Sequence, residues 1–488
     1  MTTLTLITLA VVIYGTCATN RYPTALALGG GTPVGAALVA GDTAVPTFYA
    51  VALGVPIGLF VRLLRRTRRG ERTAGPPTPG VVALLLFTAT SISVTLLAPL
   101  LFPGIRVLAP DGSVARLTPG VVSTSNIAQI VYLLLGVAVV LFLARSPGAT
   151  PQVIGVVTGV VTLLSFGKLL SQLGGLPFPE FFFDNSPAFS FVDAAPGGQV
   201  RFRGILSEPA GLAGSSLVTI AYMSSRAVRV HGWHRVGAIA MAVIAAVMAV
   251  LSTSTTFIVA GLLLLGLAAG SAAVRIVLRA GRVSALTVTL GCLITMAGAY
   301  LLPIVAGFIT TAINDKVGSS SYDERSGADA RSYEIVRETY GLGVGLGAHR
   351  PSSFVAALLS TTGVLGTLLF VLAVGTLIWR ASRVDAYRPV IWALVALLLT
   401  KVLAGPDLAD TSGILWISLG LLARAARLRA DRPGTAGAPG PRVRQPTLRT
   451  GQDDRLGAGP AGWSVGRERL PAAGRHVDPP DVVHRHAR

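Results

Sequence analysis

Two stretches of the sequence gather the residue types that chemistry needs. In RFRGILSEPAG, Arg201 and Arg203 precede Glu208. In NDKVGSSSYDERSGADARSYEIVRETYGLGVGLGAHRPSS, residues 314–353, Arg325, Arg331, His349 and Arg350 stand among carboxylates and glycines. Guanidinium groups hold anionic oxygens through bidentate, charge-assisted hydrogen bonds. A Glu or His takes a proton when its pKa lies near the working pH. Lys168, close to the end of an apolar run, adds one more cation. Ionisable groups at or just above membrane depth are costly, which makes these residues candidates for binding an anion and moving a proton.

Each candidate also has a plain structural role. Glu208 can cap the helix that follows it, and lying five residues past Arg203 it can also pair with that arginine across the first turn. Ser326 followed by Asp329 gives a capping signal, and DARSYEIVRETY predicts a helix of about three turns. Tyr333, Val336 and Tyr340 then share one face, while Arg331, Glu334 and Glu338 gather on another, with pairs at i,i+3 spacing from Arg331 to Glu334 and from Glu334 to Arg337. Gly341, Gly343, Gly345 and Gly347 alternate, unlike a dinucleotide fingerprint, and no strand precedes them. They predict a tight, close-packing turn that delivers His349 and Arg350 beside the next apolar span.

The elements that must position these groups are membrane spans. Of 488 residues, 52% are hydrophobic and 13% charged, with a mean hydropathy of +0.66; soluble domains carry about 25% charged residues. The net charge of +19 would suggest nucleic acid in a soluble protein, but here the arginines lie between apolar runs, as the positive-inside bias requires. Cys17 and Cys292 both fall in apolar segments and read as small core residues. A span needs about 20 apolar residues, which predicts an all-α polytopic membrane protein with about 12 transmembrane helices across residues 1–430.

The expected spans lie near Leu4–Tyr14, Ala44–Val61, Val81–Leu101, Ile127–Ala144, Val153–Leu170 and Ile205–Met223; two follow on either side of LSTSTT within Val236–Val274. The last four lie near Val283–Ile309, Phe354–Trp379, Val390–Leu403 and Gly413–Leu422. RLLRRTRRGER, with six arginines in eleven residues, anchors its end in the cytoplasm, and the remaining sides follow. Both termini are then cytoplasmic, the glycine-rich segment Asn20–Asp42 is an outer or re-entrant piece, and two outer loops, 172–204 and 312–353, carry the candidates. The phenylalanines of the first loop suggest a segment at headgroup level. The second, between the ninth and tenth spans, is large and carries the short helix.

Residues 431–488 are rich in Pro, Gly and Arg and cannot bury a core, which predicts a disordered, basic cytoplasmic tail. Its His476, His484 and His486 have no helix or cysteine partners to set a metal geometry.

The stretch ERSGADARSYEIVRETYGLGVGLGAHRPSSFVAALLSTTGVLG resembles the large outer loop and following span of the O-antigen ligase and polymerase superfamily of polytopic glycosyltransferases. In that family an arginine precedes a glycine-rich turn and a helix rich in TG or GxxG follows. EPAGLAG after RFRG and the STSTT hairpin are similar to its middle portion, so the likeness covers about Arg201 to Phe370 and is topological elsewhere. Counting back from the turn, Arg325 takes the place of the family's loop arginine. Many ligases have a histidine eleven residues before the TG glycine, and counting back from Gly363 puts Ser352 there. That difference favours the polymerase-like branch.

The resemblance implies transfer of a glycan from a polyprenyl-diphosphate-linked donor to a glycan or lipid-linked acceptor at the outer face of the plasma membrane, in surface polysaccharide assembly, with membrane lipids and other assembly proteins as partners. A diphosphate leaving group must be bound. Arg325, Arg203, Arg331 and Arg350 are the candidates for it, with Lys168 a fifth, and either Glu208 or His349 would serve as base. Enough arginines can neutralise the developing charge without a metal, and no cofactor is implied. Two other readings stay open: a transporter or flippase of lipid-linked sugars with twelve helices, for which Lys168 and Lys401 would line a central cavity open to both sides, and a non-catalytic scaffold of a polysaccharide assembly complex.

Overall fold

Apolar runs without a breaking residue fold into long helices, and the interruptions between them decide where the chain turns. The computed structural model describes residues 3–17, 20–41, 43–68, 79–109, 112–187, 189, 191, 201–278, 296, 307 and 320–430. In chain order the described elements begin with helices α1 (Thr3–Cys17) and α2 (Tyr22–Gly29), strands β1 (Ala36–Ala40) and β2 (Thr43–Pro46), and helices α3 (Thr47–Ala52) and α4 (Gly54–Arg68). There follow α5 (Pro79–Leu101), β3 (Arg106–Leu108), β4 (Val114–Arg116), α6 (Thr124–Leu143), α7 (Gln152–Leu173), α8 (Pro209–Ala227), α9 (Trp233–Leu251) and α10 (Thr255–Leu278). The chain continues through α11 (Ser320–Glu338), α12 (Phe354–Ala381), α13 (Arg388–Leu403) and α14 (Ile414–Ala430).

Seven of these helices are long and apolar enough to cross a membrane: α5, α6, α7, α9, α10, α12, and α13 with the short turn before it. The protein is therefore mostly helical and of membrane type. α1 and the α3–α4 pair are shorter apolar helices. The expected sixth and twelfth spans correspond to α8 and α14, and the ninth, Val283–Ile309, lies outside the described residues, as do the tail from residue 431 and its three histidines.

The fold is not purely helical. β1 and β2 form one antiparallel hairpin, and β3 and β4 form another, with Arg106 opposite Arg116. The segment expected as an outer or re-entrant piece is α2 followed by the first hairpin. Asn185, from the phenylalanine-rich loop, grips β1 on both sides: Ala36 N–H donates to its Oδ1 at 2.8 Å, and its Nδ2 donates to Ala36 O at 2.9 Å.

Local chemistry sets the helix ends. A capping box starts α6, where Asn126 N–H donates to Ser123 Oγ at 3.2 Å and Ser123 N–H donates to Asn126 Oδ1 at 2.8 Å. Pro209 and Pro389 occupy the first turns of α8 and α13, where a missing N–H does no harm. The first half of α14 is apolar on nearly all sides, and Ile414, Leu415, Trp416, Ile417, Leu419, Leu421 and Leu422 are buried, as an all-round apolar stretch requires. The helix packs on α6, α12 and α13, while α5 lies along α12 and α8 along α9 and α13. α10 is peripheral, with 6% of its apolar window buried.

Candidate functional site

The glycine-rich turn after α11 is built to enter a broken helix. α12 departs from helical geometry at Gly363, whose φ is +73° and ψ 179°. The break frees carbonyls: Val344 N–H donates to Ser360 O at 2.8 Å, Gly345 N–H to Thr361 O at 3.1 Å, and Val364 N–H to Gly341 O at 2.8 Å. A Cβ on Gly343, with φ +85°, would lie 2.8 Å from Ser360 O and 2.9 Å from Gly363 N, both backbone atoms. Only glycine fits there. Two other helices clamp the turn, through Leu346 N–H to Thr95 Oγ1 at 2.9 Å and Asn126 Nδ2 to Leu346 O at 2.6 Å.

Above this plug, α11 and the β3–β4 hairpin form a cap. α11 runs over 19 residues, longer than the three turns expected, so Ser326 and Asp329 lie inside it and do not start it. Asp329 Oδ1 instead accepts from Ser352 N–H at 2.8 Å and Ser353 N–H at 3.1 Å, at the entry to α12. Ser332 and Ile335 of α11 are buried, as is Thr339 in the turn that follows, while Tyr333 and Tyr340 are exposed.

Arg331 is spent on this cap. Its Nε and Nη2 donate to Arg106 O at 3.1 and 2.9 Å, and its Nη1 donates to Glu334 at 2.6 Å and to Glu338 at 2.9 Å. Nη2 also donates to Glu338 at 3.0 Å. The expected pair with Glu334 forms, joined by Glu338 two turns on, and the Glu338 and Glu334 carboxylates raise the pKa of the guanidinium.

His349 is also consumed. Leu108 N–H donates to its Nδ1 at 3.1 Å, which places the ring proton on Nε2, 2.9 Å from Ser332 Oγ. Ser332 Oγ in turn donates to Ala328 O at 3.0 Å. Burial, with the Arg331 charge second, pushes the His349 pKa down to about 4. The neutral ring is a rivet between β3 and α11, and as a base it would lack both a lone pair facing substrate and a useful pKa.

Arg203, Lys168 and Glu208 lie elsewhere. Arg203 is buried and pairs with Asp184, Nη1 to Oδ1 at 3.0 Å and Nη2 to Oδ2 at 2.5 Å, and it also donates to Leu206 O at 2.9 Å. The expected pair with Glu208 is replaced by this bidentate one, and Phe191 lies 5.2 Å from the guanidinium. Lys168 Nζ is buried 2.6 Å from Glu180. These ion pairs hold the phenylalanine-rich loop against the bundle, where Phe178, Phe183, Phe189, Phe191 and Phe202 pack on Val161, Ile205, Leu206 and Leu212. Phe181 of the same loop stays exposed. Glu208 occupies the N-cap position of α8 with extended backbone, yet its exposed side chain makes no capping hydrogen bond.

What remains is a cavity of about 260 Å³ between the turn, the starts of α6 and α12, β2 and the α13–α14 loop. Arg350, His349, Asp407, Tyr132, Gln129 and Thr361 are among its lining residues. Arg350 is exposed, and its N–H donates to Leu108 O at 2.9 Å, fixing its backbone beside the cap. Asp407 is exposed on the α13–α14 loop, which several bonds hold in place. Lys401 Nζ donates to Asp407 O at 2.7 Å, Leu415 N–H donates to Asp410 Oδ2 at 2.7 Å, and Gly405 N–H reaches Ser352 O at 3.3 Å. Arg325 is exposed on α11, and its carbonyl accepts from Ser352 Oγ at 3.2 Å, two residues along from Arg350.

Of the seven residues expected at the site, the cavity thus takes His349 and Arg350, with Arg325 nearby. Asp407 was not among them. Its only sequence signal is an acidic pair, Asp407 and Asp410, between the last two apolar runs, and its place in the same cavity as Arg350 comes from the packing of α12 against α13. Among the described residues no cluster of three or more His, Cys, Asp or Glu side chains is arranged to hold a metal ion. No protein-family model matches the chain, and no curated protein matches it.

Proposed function

We propose that this membrane protein is a glycosyltransferase that extends or ligates polyprenyl-diphosphate-linked oligosaccharides at the extracytoplasmic face. The observation that carries the reading is the cavity that brings an arginine from the glycine-rich turn together with a carboxylate from the α13–α14 loop. Its volume approaches the roughly 300 Å³ at the lower end of small-molecule sites. It supplies the two groups that glycosyl transfer from a diphosphate needs, a cation for the leaving group and an acceptor for the hydroxyl proton.

In this reading the acceptor hydroxyl oxygen forms a bond to the anomeric carbon of the donor sugar while the bond from that carbon to the diphosphate oxygen breaks. The hydroxyl proton passes to the Asp407 carboxylate. The bonding electron pair leaves with the polyprenyl diphosphate, whose charge Arg350 and Arg325 neutralise. The base is assigned to Asp407 in place of Glu208 and His349, since Glu208 does not line the cavity and His349 has both ring nitrogens engaged. Arg203, Arg331 and Lys168, which have carboxylate partners of their own, become positioning residues.

The transporter reading draws less support. A broken helix in a span is a feature of transporters, but here the glycine turn takes up the carbonyls of Ser360 and Thr361. Neither Lys168 nor Lys401 lines the three cavities described among these residues.

The test is to incubate purified protein with a polyprenyl-diphosphate-linked oligosaccharide and resolve the lipid-linked products by length. Wild type should give longer products, and Asp407→Asn should give none while keeping the wild-type melting temperature. Full elongation by the folded Asp407→Asn variant would remove Asp407 from the chemistry, and failure of wild type to elongate any such donor would overturn the reading.

A further inference from the structure

A second opening lies away from the cap. A groove of about 680 Å³ runs between α8 and α10. α8 contributes Leu217, Ile220 and Ala221 at helical spacing, and α10 contributes Phe257, Gly261, Leu264 and Ala268. The two helices run in the same direction, since α9 returns the chain between them through the tight turn at Ser252–Ser254. From Phe257 to Ala272 the groove follows about 22 Å of α10 at 1.5 Å per residue.

One end is different in kind. Past the last turn of α8, Arg229 lines the groove together with Ser224 and Ser225, and Ser271 and Trp392 face the same end from α10 and α13. Arg229 Nη1 donates to Ser225 O and, at 2.9 Å, to Ser225 Oγ, so the guanidinium is held at the groove mouth. A tryptophan and an arginine closing an apolar slot are the residues that settle at a bilayer interface. This end is opposite the capped one. α8 begins at Glu208, its Gly214 lies against Thr400 near the end of α13, and Arg229 lies beyond its other terminus.

We propose that this groove is a phospholipid site, with one acyl chain along the α8 and α10 walls and the anionic phosphate on Arg229. Charge complementarity and position both select that occupant. The walls are hydrocarbon, α10 is of membrane-spanning type and mostly exposed, and the guanidinium of Arg229, the one among the described lining residues, stands where a headgroup would lie. The donor's diphosphate would be held at the other end of the bundle, so the site is independent of the glycosyl-transfer reading and survives its failure.

Native mass spectrometry on the full chain, loaded from equal amounts of phosphatidylglycerol and phosphatidylcholine, tests the assignment. Wild type should keep one phosphatidylglycerol after detergent washing, at least tenfold over phosphatidylcholine. Gly261→Leu, whose side chain enters the groove beside Leu217, should lose that lipid, as should Ala268→Leu, with melting temperatures within the range of wild type in a lipid-free detergent. Arg229→Gln should keep a lipid but show no headgroup preference. Equal retention by wild type and both folded groove-filling variants would overturn the site. Displacement of phosphatidylglycerol by an equimolar polyprenyl phosphate, or equal binding of both phospholipids by wild type, would overturn the assignment of its occupant.

Discussion

The charged residues of the capped end fall into two sets that differ in where they sit. Arg203, Lys168, Arg331 and His349 find partners inside the protein, in Asp184, Glu180, Glu338 and Ser332. Arg350 and Asp407 line an open cavity, and Arg325 stands exposed on the helix above. A buried charge whose partner is internal stabilises a geometry, and losing one member strands the other. A charge exposed beside a cavity is placed to meet what enters it. Proximity to the cap therefore says little about role, and burial in the bundle against exposure at the cavity says much.

Substitutions can break or sharpen this division. Arg203→Ala should have the largest effect, about 3–5 kcal/mol of stability, because Asp184 keeps its charge in a largely buried place; reversible unfolding in mixed micelles measures it, and a loss below 1 kcal/mol would move Arg203 to the other set. Arg350→Gln, at an exposed position, should behave the opposite way, lowering the transfer rate by about 10²–10³ with a much smaller fall in melting temperature than Arg203→Ala.

His349 gives a pH signature. Its pKa of about 4 in the fold lies below the usual unfolded value of about 6.5, so the unfolded chain binds the proton first as the pH falls. Stability present above about pH 6.5 is then lost toward pH 4, by about 3 kcal/mol. Melting temperatures of wild type should fall over that window more steeply than those of His349→Gln; parallel curves would show that the ring is not the titrating group. Gly343→Ala should cost about 1–3 kcal/mol through its positive φ and the nearby backbone of α12, seen as a lower melting temperature. Glu208→Gln should be the smallest, within about 0.5 kcal/mol and with full activity, and a lost activity there would return Glu208 to the site.

The parts of the molecule that the sequence makes legible are those governed by local physics. The long apolar runs became α5, α6, α7, α9, α10, α12 and α13, and the alternating glycines became a tight turn. The small hairpins escaped notice because a strand of three residues such as Val114–Arg116 carries no periodic signal. The partner of Arg203 was unreadable for a different reason. Asp184 sits 19 residues away in an irregular loop, and Glu208 was simply closer in sequence. Asp407 and the break at Gly363 depend on how α12, α13 and the turn meet, which no spacing along one chain segment encodes.

The plug in α12 also bears on how the protein is made. A span whose backbone is satisfied within itself can leave the translocation machinery alone, since it carries no bare carbonyl into lipid. α12 cannot, because Ser360 O and Thr361 O receive their donors from Val344 and Gly345. Those donors emerge from the ribosome just before the helix they complete, whereas Thr95 and Asn126, which clamp the turn from α5 and α6, are already in place. Completion of α12 is thus tied to the docking of the polar loop that precedes it, and without that turn the break at Gly363 would leave two carbonyls bare.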